Sequence, residues 1–255
     1  MNEKKKVILA LYGHPNTGKT TTLRKLVLEF LESPKVEEDI QVGFLYYKKN
    51  KTKPTKIVVS TAKDTRVNVD FYTELMAQTL ILVTTKRIKD QTGEINVVAE
   101  LVRKGDADPE QEEIDNELEL EIKKLISSIA QEETSTLPLF LQRLLKSDIV
   151  EGDIQISFRY KGRKIVISTA GDRVCEVEES TRLFQKVEAD ILVTATRNIG
   201  ATHTCLSLRN YGEMINSEAI RISKCGSGSL NEARAKELHT FINLIIDNWD
   251  SEPKK

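Results

Sequence analysis

The chain has little cysteine and no long apolar segment. Its 255 residues include three cysteines and one tryptophan. Cys175, Cys205 and Cys225 are far apart and form no CxxC pair, so we expect no disulfide framework and a reducing, cytoplasmic compartment. No apolar run approaches the roughly 18–20 residues that cross a bilayer. Residues 1–6 lead directly into a strand-like run rather than a signal peptide's apolar region, and we expect no membrane attachment.

An excess of charge of one sign is also lacking. Lysine and arginine number 38, aspartate and glutamate 39, and the net charge is −1. No overall field therefore draws the chain to nucleic acid or to an anionic membrane. With 39% hydrophobic and 30% charged residues, the composition is that of a folded globular protein. The length suits one large α/β domain or two modest domains.

The chain contains two similar segments. IQVGFLYY followed by KIVVSTAKDTR resembles IQISFRY followed by KIVISTAGDRV, and LILVTTKR resembles DILVTATR. A shift of 108 residues takes Asp64 to Asp172, and a shift of 110 takes Arg87 to Arg197. Because several segments recur in the same order, we predict an internal duplication, with copies at 1–133 and 134–255.

Hydrophobic spacing predicts that strands and helices alternate along both copies, which indicates an α/β fold with a mostly parallel sheet flanked by helices. The second copy lacks the first strand and the glycine loop after it. The predicted strands are Lys6–Tyr12, Ile40–Tyr47, Lys56–Thr61, Leu80–Thr84, Asp153–Tyr160, Arg163–Thr169, Asp190–Thr194 and Thr204–Leu208. The predicted helices are Thr20–Glu32, Phe71–Gln78, Ile114–Ile129, Leu137–Lys146, Val177–Val187 and Leu230–Ile246.

A phosphate-binding motif lies between the first predicted strand and the first predicted helix. GHPNTGKT, residues 13–20, matches GxxxxGK[ST] at every defined position. Glycines let the backbone curl around an anion, and the N-terminus of the following helix adds its positive dipole. Lys19 would contact the β- and γ-phosphates and the Thr20 hydroxyl would bind Mg²⁺. The expected phosphate-binding residues are Gly13, His14, Pro15, Asn16, Thr17, Gly18, Lys19, Thr20 and Thr21.

On this motif the chain resembles the P-loop NTPase superfamily, in particular members whose loop reads GKTTTL. The resemblance covers residues 6–32 and points to no more specific family. It implies binding of a nucleoside triphosphate with Mg²⁺. Residues 1–133 are then the nucleotide-binding unit, and 134–255 a duplicated unit without the loop.

A carboxylate at the end of an apolar strand, which usually completes a P-loop site, is missing. STAKD and STAGD stand at the two comparable strand ends, with Ser60 and Ser168 where the acid is expected, and either serine could hold Mg²⁺ through water. Asp64 is favoured for metal or water because its copy carries the loop. Asp172 is the rival, supplied by the second copy, because Gly171 permits a close backbone approach. Each aspartate could instead cap the helix or turn that follows it.

Four arginines also follow predicted strand ends: Arg66, Arg87, Arg173 and Arg197. Arg87 and Arg197 occupy equivalent places in the two copies. One of the four could stabilise the transferring phosphate as an arginine finger, and Arg87 or Arg197 could do so across the two copies; the alternative for each is a surface ion pair. His14 is expected to face solvent rather than take part in the chemistry.

No NKxD guanine-reading motif follows either later strand, and this favours ATP over GTP. Three functions stay open. The first is an ATPase whose hydrolysis switches a protein partner or self-association. The second is a nucleotide or metabolite kinase, and the third is a nucleotide sensor without hydrolysis.

Overall fold

The chain folds as an α/β protein in which a mixed β-sheet is flanked by helices. The computed structural model describes residues 6–37, 40–46, 55–60, 80–89, 95–104, 116–124, 137–147, 150, 152–197, 217–223 and 230–251. Two compact units are formed, unit 1 from residues 1–37 and 155–255, and unit 2 from residues 38–154. In the described ranges, no helix is both long enough and apolar enough for a bilayer.

Most of the described elements match a predicted strand or helix. The strands are β1 Lys6–Gly13, β2 Gln41–Tyr46, β3 Thr55–Ser60, β4 Leu80–Lys89, β5 Ile95–Lys104, β6 Ile154–Tyr160, β7 Arg163–Ser168, β8 Ile191–Arg197 and β9 Ser217–Ser223. The helices are α1 Lys19–Leu31, α2 with residues 116–124, α3 Leu137–Lys146, α4 Val174–Lys186 and α5 Leu230–Ser251. The predicted helix Phe71–Gln78 and strand Thr204–Leu208 lie outside the described residues.

The sheet of unit 1 has the order β6-β7-β8-β1-β9. β1 runs parallel to β8 on one side and to β9 on the other, β7 is parallel to β8, and β6 is antiparallel to β7. β1 and β8 are almost entirely buried, which accounts for their nearly continuous apolar sequences. Three of these four strand pairs are parallel and one is antiparallel, so the sheet of this unit is mixed.

Helices cover both faces of the unit 1 sheet. The Phe30 ring of α1 lies 5.1 Å from that of Phe158 on β6, centroid to centroid. Three residues earlier on the same strand, Gln155 donates a hydrogen bond to Ser180 of α4 at 3.4 Å. Because side chains alternate between the faces of a strand, α1 and α4 lie on opposite faces. Unit 1 is therefore a three-layer α/β/α structure.

Helix α5 packs against α1 on the Phe30 face. Its buried side chains recur at helical spacing and form one apolar stripe: Ala235, Leu238, Ile242 and Ile246. Polar contacts then tie its C-terminal half to the turn between β6 and β7. Tyr160 donates to the Asn243 amide oxygen at 3.0 Å, and Lys161 pairs with Asp247 at 2.8 Å.

The sheet of unit 2 has the order β5-β4-β3-β2. Only β3 and β4 are parallel, whereas β2 with β3 and β4 with β5 are antiparallel. The expectation of a mostly parallel sheet is thus wrong for this unit, because β5, which the sequence analysis did not predict, returns alongside β4. Leu118 and Ile122 of α2 are buried.

Three strands of each unit share one arrangement. β2, β3 and β4 are joined antiparallel and then parallel, and so are β6, β7 and β8. The register also agrees at the positions related by the sequence repeat. The matching pairs include Gln41–Ser60 and Ile57–Ile81 in unit 2, and Gln155–Ser168 and Ile165–Ile191 in unit 1.

The two units do not coincide with the predicted boundary between residues 133 and 134. β1 and α1, assigned to the first copy, lie in unit 1 with β6 to β9. The reason is the pairing of β1, whose neighbours on both sides come from the second half of the chain. The loop after β1 therefore lies beside strands from the second half of the chain.

Burial of His239 between α5, α1 and β6 makes stability depend on pH. Its ring lies 4.6 Å from the Phe30 ring, and its buried Nε2 has no hydrogen-bond partner in the described ranges. This burial lowers the pKa of His239; nearby Glu29 raises it and Lys161 lowers it further. The unfolded chain, with a histidine pKa of about 6.5, then binds the proton more tightly than the folded chain.

We therefore expect the free energy of unfolding to fall as the pH drops below about 6.5, until the lowered pKa is passed. His239→Phe keeps an aromatic ring and removes the titration, so its stability should depend less on pH between about 7.5 and 5.5. Urea unfolding of both proteins at several pH values measures this. Parallel pH profiles would contradict the assignment.

Candidate functional site

The loop between β1 and α1 has a curled backbone. β1 ends at Gly13, and α1 begins at Lys19. Asn16 and Gly18 have positive φ, 60° and 78°, which turns the chain back on itself. The Thr17 hydroxyl donates to the His14 carbonyl at 2.8 Å and braces the curl. The loop thus leads directly into a helix N-terminus, where a dipole favours anions.

Lys19 folds back across this loop. Its Nζ donates to the carbonyl oxygens of Gly13 and His14, both at 3.0 Å, and the residue is only 7% exposed. The ammonium group is therefore held inside the loop rather than extended into water. A positive charge at this place is suited to a bound phosphate chain.

The loop follows β1, the strand at which the order of the strands across the sheet changes direction. β1 has β6, β7 and β8 on one side and β9 on the other. Parallel α/β sheets bind ligands at such points, beyond the carboxyl ends of the strands. In this register Gly13 lies beside Arg197 of β8, and Tyr12 lies beside Ser223 of β9.

An ion pair stands at the same edge of the sheet. Arg197 Nε lies 3.4 Å from Asp172 Oδ1, and the two side chains are 44% and 56% exposed. Exposed pairs of this kind add little to stability, so their separation costs little. The structure therefore brings Arg197 and Asp172 together, one strand away from the start of the loop. From the sequence, the two residues were separate candidates with no predicted contact.

The carboxylate of Asp172 does not cap the next helix, which corrects that alternative. Instead Glu176, in the first turn of α4, accepts hydrogen bonds from the backbone N–H groups of Asp172 and Arg173, the two residues before the helix, at 2.9 and 3.0 Å. Arg173 also pairs with Glu176 at 2.7 Å. The side chain of Asp172 is thus directed to Arg197.

A buried polar network holds the turn before Asp172. The Ser180 hydroxyl lies 2.7 Å from that of Ser168 and accepts a hydrogen bond from Gln155. Ser168 in turn contacts the Ala170 carbonyl at 3.5 Å and is fully buried. The Ser168 hydroxyl thus has partners inside the protein, and its role in holding Mg²⁺ through water stays a prediction.

Other predicted site residues lie elsewhere. Asp64 and Arg66 fall outside the described residues. Arg87 lies in β4 of unit 2, where its backbone pairs with Val97. His14 is exposed, as expected, and Thr20 is half-buried at the second position of α1. In the part of the chain that the structure describes, no three His, Cys, Asp or Glu side chains are grouped to hold a metal ion.

Asn231, at the start of α5, contacts the loop, although nothing in the sequence placed it in the site. It is 5% exposed and accepts a hydrogen bond from the Thr22 hydroxyl at 3.3 Å. Its amide lies against Gly18 of the loop. No local signal could reveal this contact, because 209 residues separate Asn231 from Thr22.

Comparisons of the chain with protein families, with curated proteins and with solved structures found no match. The features of the molecule that bear on its function are therefore the loop, the helix N-terminus and the charged pair. All of these belong to unit 1.

Gly171 sets the position of Asp172, because a side chain there has no room. A Cβ on Gly171 would stand 1.8 Å from the Ala195 carbonyl oxygen, a backbone atom that cannot move aside cheaply. We expect Gly171→Ala to lower the free energy of unfolding by about 2–3 kcal/mol. Gly162→Asn is the control, since nothing lies within 4 Å and Asn tolerates the positive φ. Denaturant unfolding should show the larger loss for Gly171→Ala; equal losses would contradict this account.

Proposed function

We propose that the chain is a P-loop NTPase that binds ATP and hydrolyses it with Mg²⁺, and that hydrolysis switches the binding of a protein partner or self-association. The supporting observation is the curled Gly13–Thr20 loop with the Lys19 ammonium folded inside it, 3.0 Å from two loop carbonyls. The place of the loop at a point where the strand order changes direction adds to this.

Each residue of the site has a proposed role. Lys19 binds the β- and γ-phosphates, and the Thr20 hydroxyl holds Mg²⁺, which neutralises phosphate charge. Arg197 turns from Asp172 toward the γ-phosphate and stabilises the charge that develops there. Asp172 then accepts a hydrogen bond from the attacking water and orients it. Asp172 is preferred to Asp64 because it contacts Arg197, the strand neighbour of Gly13.

The shared strand register of the two units supports the internal duplication. We infer that the two arose from one ancestral strand arrangement and that only unit 1 carries a phosphate loop. Unit 2 would then be the scaffold or the partner-binding half. One nucleotide-binding unit beside one scaffold or partner-binding unit suits a regulatory ATPase better than a metabolite kinase.

A nucleotide sensor without hydrolysis is the second candidate. β7 ends in the buried Ser168 and not in a carboxylate that could bind Mg²⁺. If Asp172 does not orient water, the site would bind ATP and hydrolyse it very slowly. Purified protein with ATP and Mg²⁺, assayed for free phosphate and for transfer to nucleoside monophosphates, separates ATPase, kinase and sensor.

Lys19→Ala should abolish ATP binding, because it removes the charge inside the loop. Calorimetric titration of the wild-type chain should show one site per polypeptide. Lys25→Ala is the matched control, since Lys25 lies on the same helix in a surface pair with Glu232 at 3.7 Å. The loop assignment fails if Lys19→Ala binds ATP like the wild type, or if two equivalent sites are found.

Asp172→Asn should lower kcat about 100-fold and leave the KM for ATP within several-fold, since the charge acts mainly on the reacting water. Asp64→Asn should have the smaller effect. Steady-state phosphate release by the two variants decides between the aspartates. The opposite order would assign the role to Asp64, and near-wild-type rates from both would favour the sensor.

A further inference from the structure

The first turn of α5 is built against the phosphate loop. Asn231 is almost fully buried, and the hydroxyl of Thr22, also buried, donates to its Oδ1 at 3.3 Å. Burial of an amide is costly unless it is hydrogen-bonded. The amide therefore has a defined place, between α5 and the first turn of α1.

The absence of a side chain at Gly18 makes room for this amide. A Cβ on Gly18 would stand 2.5 Å from Asn231 Oδ1 and 2.8 Å from Nδ2. The glycine is therefore needed for its positive φ and also for the close approach of Asn231. The amide lies directly over the last residue before α1.

Gly18 and Thr22 enclose the two residues that would act on phosphate and metal, Lys19 and Thr20. The Thr22 N–H donates to the Gly18 carbonyl at 2.9 Å and closes the first turn of α1. Asn231 touches both ends of that turn. A group that fixes both ends also fixes the direction in which the turn presents its backbone N–H groups and the Lys19 side chain.

Attachment of α5 to unit 1 does not depend on Asn231. The buried stripe of the helix and the contacts of Asn243 and Asp247 hold it along the rest of its length. The residue therefore has a local role, in the shape of the loop.

We propose that Asn231 is a positioning residue for the phosphate loop, holding the first turn of α1 so that Lys19 reaches the β- and γ-phosphates. This inference rests on the proposed function. It predicts that loss of the Asn231–Thr22 hydrogen bond weakens binding of ATP more than binding of ADP, because a displaced Lys19 would lose contacts to two phosphates of ATP and to only one of ADP.

The test is fluorescence titration of the full chain with mant-ATP and mant-ADP in the presence of Mg²⁺. Asn231→Ala should raise the Kd for mant-ATP about tenfold and that for mant-ADP less. Asn243→Ala is the matched control, because it removes a polar anchor at the far end of α5, and both affinities should stay unchanged. An equal effect of the two variants, or an unchanged mant-ATP to mant-ADP ratio in Asn231→Ala, would overturn the proposal.

Variants of Thr22 provide a second test of the proposal, which can be used if Asn231→Ala is unstable. Thr22→Val should reproduce the affinity loss, Thr22→Ser should bind like the wild type, and the double variant should lose no more than either single one. Additive losses, or wild-type binding by Thr22→Val, would overturn the positioning role. Absence of mant-ATP binding by the wild type would instead contradict the proposed function, and this inference with it.

Discussion

The backbone pairing of β1 with β8 and β9 is the interaction on which the site depends. It holds β1 inside a parallel sheet, so that the chain leaves the sheet at Gly13 with a charged strand end beside it. Helix α1 then covers one face and is fixed there by the Phe30 contacts with β6. Without these neighbours the loop would be a glycine turn before an amphipathic helix, with nothing to place other groups near it.

The local elements could be predicted because their signals are local. The sequence predicted α3 at Leu137–Lys146, where the structure has it, and α1 within one residue at each end. Hydrophobic periodicity and turn residues determine such elements over a few turns. β5 was missed, and β9 was not predicted at Ser217–Ser223.

Strand neighbours could not be predicted in the same way. The repeat shows which segments are alike, but it does not say which copy lies beside β1. Parallel strands are joined by long connections, so their pairing is decided by burial over the whole sheet rather than by adjacent residues. For this reason Asp64 was preferred to Asp172 from sequence. The Asn231–Thr22 contact could not be predicted either, because it joins residues that are far apart in the sequence. Lys19 could be predicted because its motif is a contiguous stretch of the chain.

The composition of unit 1 from two distant chain segments has a consequence for folding during synthesis. Val7 and its partner Ile191 are about 180 residues apart, and all of unit 2 is made between them. At roughly 5–20 residues per second, a ribosome needs on the order of ten seconds or more to supply β8 after β1. During this interval both backbone edges of the apolar strand β1 lack their native partners, which favours chaperone binding or aggregation of the nascent chain. Unit 2 can fold earlier, since its residues are contiguous.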